Sequence, residues 1–485
     1  MNGIMIQGTS SDAGKSFIVT GLCRLLSNMN MKICPFKSQN MSNNSYVTHD
    51  GLEISIAQAL QAQAARLRPE VFMNPILLKP RRENSSEVIL NGKVYASSTR
   101  NYRDFTRTQG INAIRQALNH IHSNFDAIII EGAGSPAEIN LNAHEIVNMR
   151  IAREADVPVL LVADVDRGGS LASVVGTLEL LGDDRKRVKG IIFNKFRGDI
   201  KLFQDAVDWT EDYTGIKVVG VLPFTKGINL SGEDSLDISN FDSNNSGKIS
   251  IGVPKFPGIS NFSDFDPFNL EPDVQLIYFD ENITIKNFHA LDAIILPGTK
   301  NTFAALNWLK DCGFETMIKN FPGFIFGICG GMQILGRELI DGNLCENNSL
   351  TRTQGLELLP LITSFNEDEK ITRQVLNDEI SGYEIHFGRT EYFYDENFHE
   401  LLTNEGITRD DFKLAGTYLH GVFANDDFRS KWLNEIRREK NYGERQTNTA
   451  NYNPYDAIAE ILTRNLDINF ILKLIHHEDT MLQPE

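Results

Sequence analysis

The chain has 485 residues, with 47 Lys and Arg against 64 Asp and Glu, for a formal net charge of −17. Hydrophobic residues make up 41% and charged residues 23% of it, too apolar a balance for a disordered chain. The acidic surplus argues against a general nucleic-acid binder, whose phosphate contacts need Lys and Arg concentrated on one face.

Taken in order, short Ile- and Val-rich runs alternate with longer amphipathic segments, the pattern of an α/β fold. Buried parallel strands are predicted at 3–7, 125–131, 157–164, 188–194 and 217–222. A second series is predicted at 249–254, 274–278, 293–297, 323–328, 384–387 and 414–418. Between the two lies SNFDSNNSGKIS, residues 239–250, dense in Ser, Asn, Asp and Gly and read as a linker. The expected domains are therefore 1–238 and 251–440, followed by a loop and one docking helix at 455–475 within 441–485. The longest apolar stretch, 157–163, is far shorter than the roughly 20 residues of a membrane helix. Five cysteines (Cys23, Cys34, Cys312, Cys329 and Cys345) include no C-x-x-C pair, so neither a disulfide framework nor a structural zinc is expected. These features predict a cytoplasmic protein with neither membrane nor nucleic acid as partner.

The first strand runs into Gly8-Thr9-Ser10-Ser11-Asp12-Ala13-Gly14-Lys15-Ser16, and a helix is predicted to start there. Loop N–H groups and a helix N-terminus can cradle an anion, Lys15 adds a point charge, and Ser16 offers an oxygen to Mg²⁺. The loop has five residues between its glycines where the common pattern has four. The plainer reading is a Gly/Ser-rich turn with a chance GKS, which the flanking strand and helix disfavour. Gly8, Thr9, Asp12, Gly14, Lys15 and Ser16 are thus candidate nucleotide contacts. Glu131, at the end of another predicted strand, is a candidate metal partner, although such an acid alone is more often a solvated strand end. Asn194 in NKFRGD resembles a nucleotide-base reader, a weak signal by itself. Asp164, Asp166 and Arg167 read equally well as a polar loop or as binding residues.

Gly327-Ile328-Cys329-Gly330-Gly331 has the G-x-nucleophile-x-G form, with a strand before it and a helix after. A sharp turn there exposes the central thiol, and a helix N-terminus favours its thiolate. The N–H groups of Gly330 and of Gly298 are the candidate oxyanion donors, and His420 is the candidate base. The alternative is a structural cysteine packed as a small hydrophobe. In class I glutamine amidotransferases a glutamate two residues after the histidine orients it; here that position is Val422. Glu384 and His386 could take over that role, contact substrate, or be structural. Together the two motifs suggest one reaction scheme. A cysteine elbow releases ammonia from glutamine, and a phosphate loop uses ATP to turn an inert carboxylate into an acyl phosphate that ammonia can attack.

Over nearly its whole length the sequence resembles the cobyric acid synthase family. The resemblance is carried by GTSSDAGKS at 8–16, PFKSQNMSNNSYVTHDGLEISIAQALQAQAA at 35–65, MNPILLKP at 73–80 and EGAGSPAEINL at 131–141. ADVDRGG at 164–170, NKFRGD at 194–199, LPGTKNT at 296–302, GICGGMQILG at 327–336, GYEIHFGRT at 382–390 and YLHGVF at 418–423 complete it. The 35–65 segment separates this family from the related a,c-diamide synthases. The five-residue loop is similar to that of dethiobiotin synthetase. The resemblance implies an N-terminal P-loop synthetase domain and a C-terminal flavodoxin-like class I amidotransferase domain. It implies ATP and Mg²⁺, glutamine or ammonia, and a corrinoid substrate, adenosylcobyrinic acid a,c-diamide, amidated at its b, d, e and g carboxylates. It also implies that Val422 is normal for this branch. Asp50 (as a metal ligand) and Glu53 then become acidic candidates near the activated carboxylate; Lys37, Gln39 and Asn40 become ligand contacts, and Asn194 an adenine reader. The rivals are an a,c-diamide synthase and a regulatory P-loop ATPase with a degenerate amidotransferase domain. Oligomer formation is left open.

Overall fold

In the computed structural model the described residues are 1–82, 85–96, 102–140, 145–225, 248–342, 344–347, 350–365, 370–376, 380–446 and 453–478. The apolar runs of the first half become strands: β1 (Gly3–Gly8), β3 (Ala127–Glu131), β4 (Val159–Asp164), β5 (Val188–Phe196) and β6 (Lys217–Pro223). A short strand that the pattern did not announce, β2 (Ile33–Phe36), completes the sheet. The order is β6-β5-β4-β1-β3-β2 and every pairing is parallel. All residues of β1, β3 and β4 are buried, as parallel strands covered on both faces require. The connections change direction around β1 and β3, so the loops after these strands open on one crevice, where such sheets bind ligands.

α1 (Lys15–Asn28) follows the loop after β1. Four further strands, Gln39–Met41, Ile76–Arg82, Ser85–Leu90 and Lys93–Ala96, form a separate sheet that no long apolar run foreshadowed.

The single helix expected at 455–475 is two helices, α4 (Pro454–Asn465) and α5 (Ile468–Ile475). Apolar spacing continues through the break, but Asp467 accepts a hydrogen bond from the Phe470 N–H at 3.0 Å and caps a new helix. These helices are not an appendage. The chain forms two compact units, and residues Tyr452–Glu485 belong to the first, with Met1–Ser42 and Leu52–Gly232. α4 packs on α1: a Cβ on Gly21 would lie 2.5 Å from Leu462 Cδ1, and Arg24 holds Asp456 at 2.6 and 2.8 Å.

The second unit comprises Asn43–Gly51 and Glu233–Asn451. Residues 239–247 of the expected linker lie outside the described residues, and β7 (Ile249–Pro254) follows at once. With β8 (Val274–Phe279), β9 (Ala293–Leu296), β10 (Phe324–Ile328), β11 (Phe398–Leu402), β12 (Glu405–Arg409) and β13 (Leu414–Thr417) it makes a seven-stranded sheet ordered β8-β7-β9-β10-β13-β12-β11. β8 to β13 along that order are parallel; β12 and β11 add antiparallel.

The strand expected at 384–387 is not in this sheet. It spans Ser381–His386 and pairs antiparallel with Ile371–Leu376 in a two-stranded sheet. Its alternation of Glu384 and His386 with Tyr383 and Ile385 gives it one polar face, which a parallel sheet covered on both sides cannot accept.

α2 (Gly330–Leu335) follows β10, and α3 (Asp426–Glu439) covers one face of the sheet. Trp432 of α3 packs against Phe423 and Phe326 with ring centroids 5.1 and 6.0 Å apart. Beside this cluster, fully buried Arg429 and Arg437 reach Glu271 at 2.9 and 3.3 Å, tying α3 to the turn Phe262–Leu270.

Candidate active sites

In the first unit the loop after β1 is held from outside. A Cβ on Gly14, whose φ is 95°, would lie 2.0 Å from Asn194 Nδ2, so only glycine fits. Asn194 Nδ2 donates to the Ala13 carbonyl at 2.9 Å. The amide expected to read adenine is thus engaged with the loop itself. Lys195 donates to Asp164 at 2.9 Å, and Arg167 contacts Asp12 at 3.2 Å. Thr9 N–H donates to the Val162 carbonyl of β4 at 2.9 Å. Lys15 folds over the loop and donates to the carbonyls of Ser10 and Gly134 at 3.1 and 3.3 Å. Gly8, where the loop begins, is close enough that a Cβ there would meet Lys15 Nζ at 3.0 Å.

Ser16 Oγ donates to Glu131 Oε1 at 2.8 Å. Glu131 is fully buried and also accepts from Lys37 Nζ at 2.9 Å and from Gln61. Burial pushes this carboxyl up, but the Lys37 ammonium and the bonds from Lys37, Gln61 and Ser16 outweigh it and hold it below the usual carboxylate range. Because its O–H donates to Glu131, the Ser16 oxygen keeps its lone pairs for another partner, a hard oxygen suited to Mg²⁺. No group of three or more His, Cys, Asp or Glu gathers as a metal cage among the described residues.

Asn40 joins the same network: its amide donates to Ser55 Oγ at 2.6 Å and Gln58 Oε1 at 3.1 Å, and Gln58 donates to Gln61 at 3.3 Å. Gln58 and Gln61 lie within the 35–65 segment, but their residue type and spacing alone gave them no role in the sequence reading. Gln39 accepts from Tyr102, and buried Glu53 pairs with Lys79. Asp50 lies in an exposed turn and belongs to the second unit.

In the second unit Cys329 sits directly after β10 with φ 52° and ψ −112°, a strained backbone for a side-chain-bearing residue. Its N–H is fixed to the Thr417 carbonyl of β13 at 2.8 Å, and its Sγ lies 3.8 Å from the Ile385 carbonyl. His420, just beyond β13, is 1% exposed. Its Nδ1 lies 2.7 Å from Asp264 Oδ2, while the other Asp264 oxygen accepts from Gly421 N–H at 2.8 Å. Burial would lower the imidazole pKa, but the Asp264 carboxylate and Cys329 raise it from 6.5 to about 10.

Asp264 therefore occupies the orienting position that Val422, buried in the core, cannot fill. No spacing rule could have found it, because it precedes the histidine by 156 residues. Tyr383 adds a backbone bridge to His420 and stacks on its ring at 5.4 Å.

The two expected oxyanion glycines border the elbow. A Cβ on Gly298 would stand 2.8 Å from His420 Cε1, and one on Gly330 would stand 2.5 Å from Thr299 Cγ2. Glu384 and His386 do not touch His420 through their side chains. Glu384 pairs with Arg373 at 2.7 Å and with His386 Nε2 at 3.4 Å, and the His386 ring stacks on Tyr418 at 3.6 Å. Burial raises the neighbouring Glu405 carboxyl to about 7, assisted by Glu384.

A phosphate loop at the switch point of one α/β unit and a cysteine elbow in a second define a class: a P-loop NTPase joined to a class I glutamine amidotransferase. Family models agree. Residues 4–238 match the "CobQ/CobB/MinD/ParA nucleotide binding domain" and residues 250–428 the "CobB/CobQ-like glutamine amidotransferase domain". A cobyric acid synthase of Clostridium tetani is 44% identical, the match covering 97% of this chain and 98% of the relative. Relatives of the same name from Clostridium botulinum (strain Loch Maree) and Carboxydothermus hydrogenoformans are 42% and 43% identical, each covering 97% of this chain and 99% of the relative. The chain belongs to the cobyric acid synthase family.

Proposed function

We propose that the protein uses ATP and glutamine to amidate the b, d, e and g carboxylates of adenosylcobyrinic acid a,c-diamide, through acyl-phosphate intermediates, giving cobyric acid. The observation that carries this reading is relatedness along both units to enzymes named cobyric acid synthase.

In the second unit, the Cys329 thiolate attacks the side-chain carbonyl of glutamine. Asp264 fixes the His420 proton on Nδ1 and leaves Nε2 to exchange a proton with the Cys329 side and the departing ammonia. The raised His420 pKa keeps the imidazole protonated beside Cys329 at neutral pH. The N–H groups of Gly298 and Gly330 receive the oxyanion. Water then cleaves the thioester and frees glutamate.

In the first unit, Lys15 and the N–H groups of the loop hold the ATP phosphates. Ser16 holds Mg²⁺, with Glu131 orienting the serine through its own hydrogen bond. The metal supplies neutralising charge at the phosphoryl oxygens. Asn194 acts through the loop, keeping Ala13 and Gly14 in the cradle conformation. Lys37 balances the Glu131 charge, and Gln39, Asn40 and Glu53 are substrate-side candidates.

Mass spectrometry of the corrinoid product tests this directly. Amides appearing at b, d, e and g are the expected result; amides at a and c would reassign the enzyme to the neighbouring a,c-diamide reaction.

A further inference from the structure

The first unit has a cleft of about 830 Å³ at the N-terminal ends of β4, β5 and β6, the edge of the sheet opposite the phosphate loop. Arg185, Lys186, Arg187, Lys189 and Lys217 line it, against two acids, Asp156 and Glu478. This is a local cationic surplus in a chain whose net charge is −17. Its own ion pairs do not use it up. Arg187 meets Asp156 at 3.1 Å and Lys217 meets Asp467 at 2.6 Å. Lys186 is 84% exposed and reaches Asp183 only at 3.5 Å. The exposed Lys189 ammonium has no ion pair among the described residues. Arg185 spends one guanidinium nitrogen on the Thr214 carbonyl at 2.8 Å, and its other N–H groups are available for a planar oxyanion. One wall is apolar: Phe470 and Leu474 of α5 contribute to it, and the Lys217 ammonium rests 4.9 Å from the Phe470 ring centroid.

We propose that this cleft is a second anion site that binds a small molecule carrying more than one phosphoryl group. The volume is in the range of small-molecule sites, roughly 300–1,000 Å³. Point charges at Lys186 and Lys189 and the Arg185 fork suit adjacent phosphoryl groups, and the Phe470 wall offers a face to a ring attached to them. The cleft is on the opposite edge of the sheet from Lys15 and Ser16, so both anion sites can be filled in one chain. A nucleoside diphosphate and inorganic polyphosphate share the required chemistry.

Lysine acetylation of the full chain, read by mass spectrometry, tests the site. The phosphate loop is first filled with one equivalent of a non-hydrolysable ATP analogue, and inorganic tripolyphosphate or ADP is then added. The proposal predicts at least fivefold slower acetylation of Lys186 and Lys189, with the exposed Lys201 unchanged. ADP protecting at lower concentration than tripolyphosphate identifies a nucleotide as the ligand; the reverse order identifies inorganic polyphosphate. The paired change Lys186→Glu and Lys189→Glu should remove calorimetric binding of tripolyphosphate to the analogue-filled protein. It should leave ammonia-dependent synthesis unchanged. Equal acetylation with and without both anions, or equal slowing at Lys201, would overturn the proposal. So would unaltered calorimetric binding in the doubly changed protein.

Discussion

Asp264 holds one face of a buried histidine, and the consequences are specific. Asp264→Asn keeps the shape but exchanges a carboxylate for an amide, so the charged imidazole loses its partner. Glutamine hydrolysis should fall by about 10²–10⁴-fold in kcat with little change in KM, while ammonia-dependent synthesis persists; steady-state kinetics with each nitrogen source reads this. A pH effect accompanies it. The folded-state pKa of His420 is raised, so its stabilising contribution is complete below about 6.5 and is lost as pH rises towards about 10. Thermal melts of the second unit's transition should therefore lose stability across that window in the wild type, and Asp264→Asn should flatten the slope. Cys329→Ala should abolish glutamine-dependent synthesis and spare the ammonia-dependent reaction. Cys329, His420, Lys15 and Ser16 could be named as candidates from the sequence because each stands in a short motif just after a predicted strand. Asp264 was not, because its contact with His420 forms only when the turn Phe262–Leu270 folds against the end of β13.

At the scale of elements, positions follow from what each face must cover. β1, β3 and β4 were readable because strands buried on both faces are continuous apolar runs. The Ser381–His386 strand was misplaced because its half-polar alternation belongs to a two-stranded sheet. The α4–α5 break was hidden by apolar spacing that runs through it, and one aspartate cap decides it. α1 illustrates close helix packing: Gly21 leaves no room for a larger residue beneath Leu462 and Ile458 of α4. Gly21→Val should destabilise the first unit by about 1–3 kcal/mol through overpacking. Differential scanning calorimetry should show that loss in the first unit's transition, with glutamine hydrolysis in the second unit unaltered. Asn194→Ala removes a support of the phosphate loop and should weaken ATP binding severalfold, as measured by equilibrium titration.

For the whole molecule, the division of work between two α/β units was visible from two motifs and an apolar rhythm, but the membership of the units was not. Residues 43–51 belong to the second unit although the chain on either side belongs to the first, and the C-terminal helices return to the first. The 43–51 excursion has no compositional mark, and the polar loop before the C-terminal helices does not say which unit they join. The division predicts that Lys15→Ala removes synthesis with glutamine and with ammonia alike, because both nitrogen sources need an activated acceptor. The activation step itself can be followed with a corrinoid acceptor whose free carboxylates carry ¹⁸O. During turnover, one labelled oxygen should pass into inorganic phosphate for each amide formed. Amide formation with unlabelled phosphate would contradict the account.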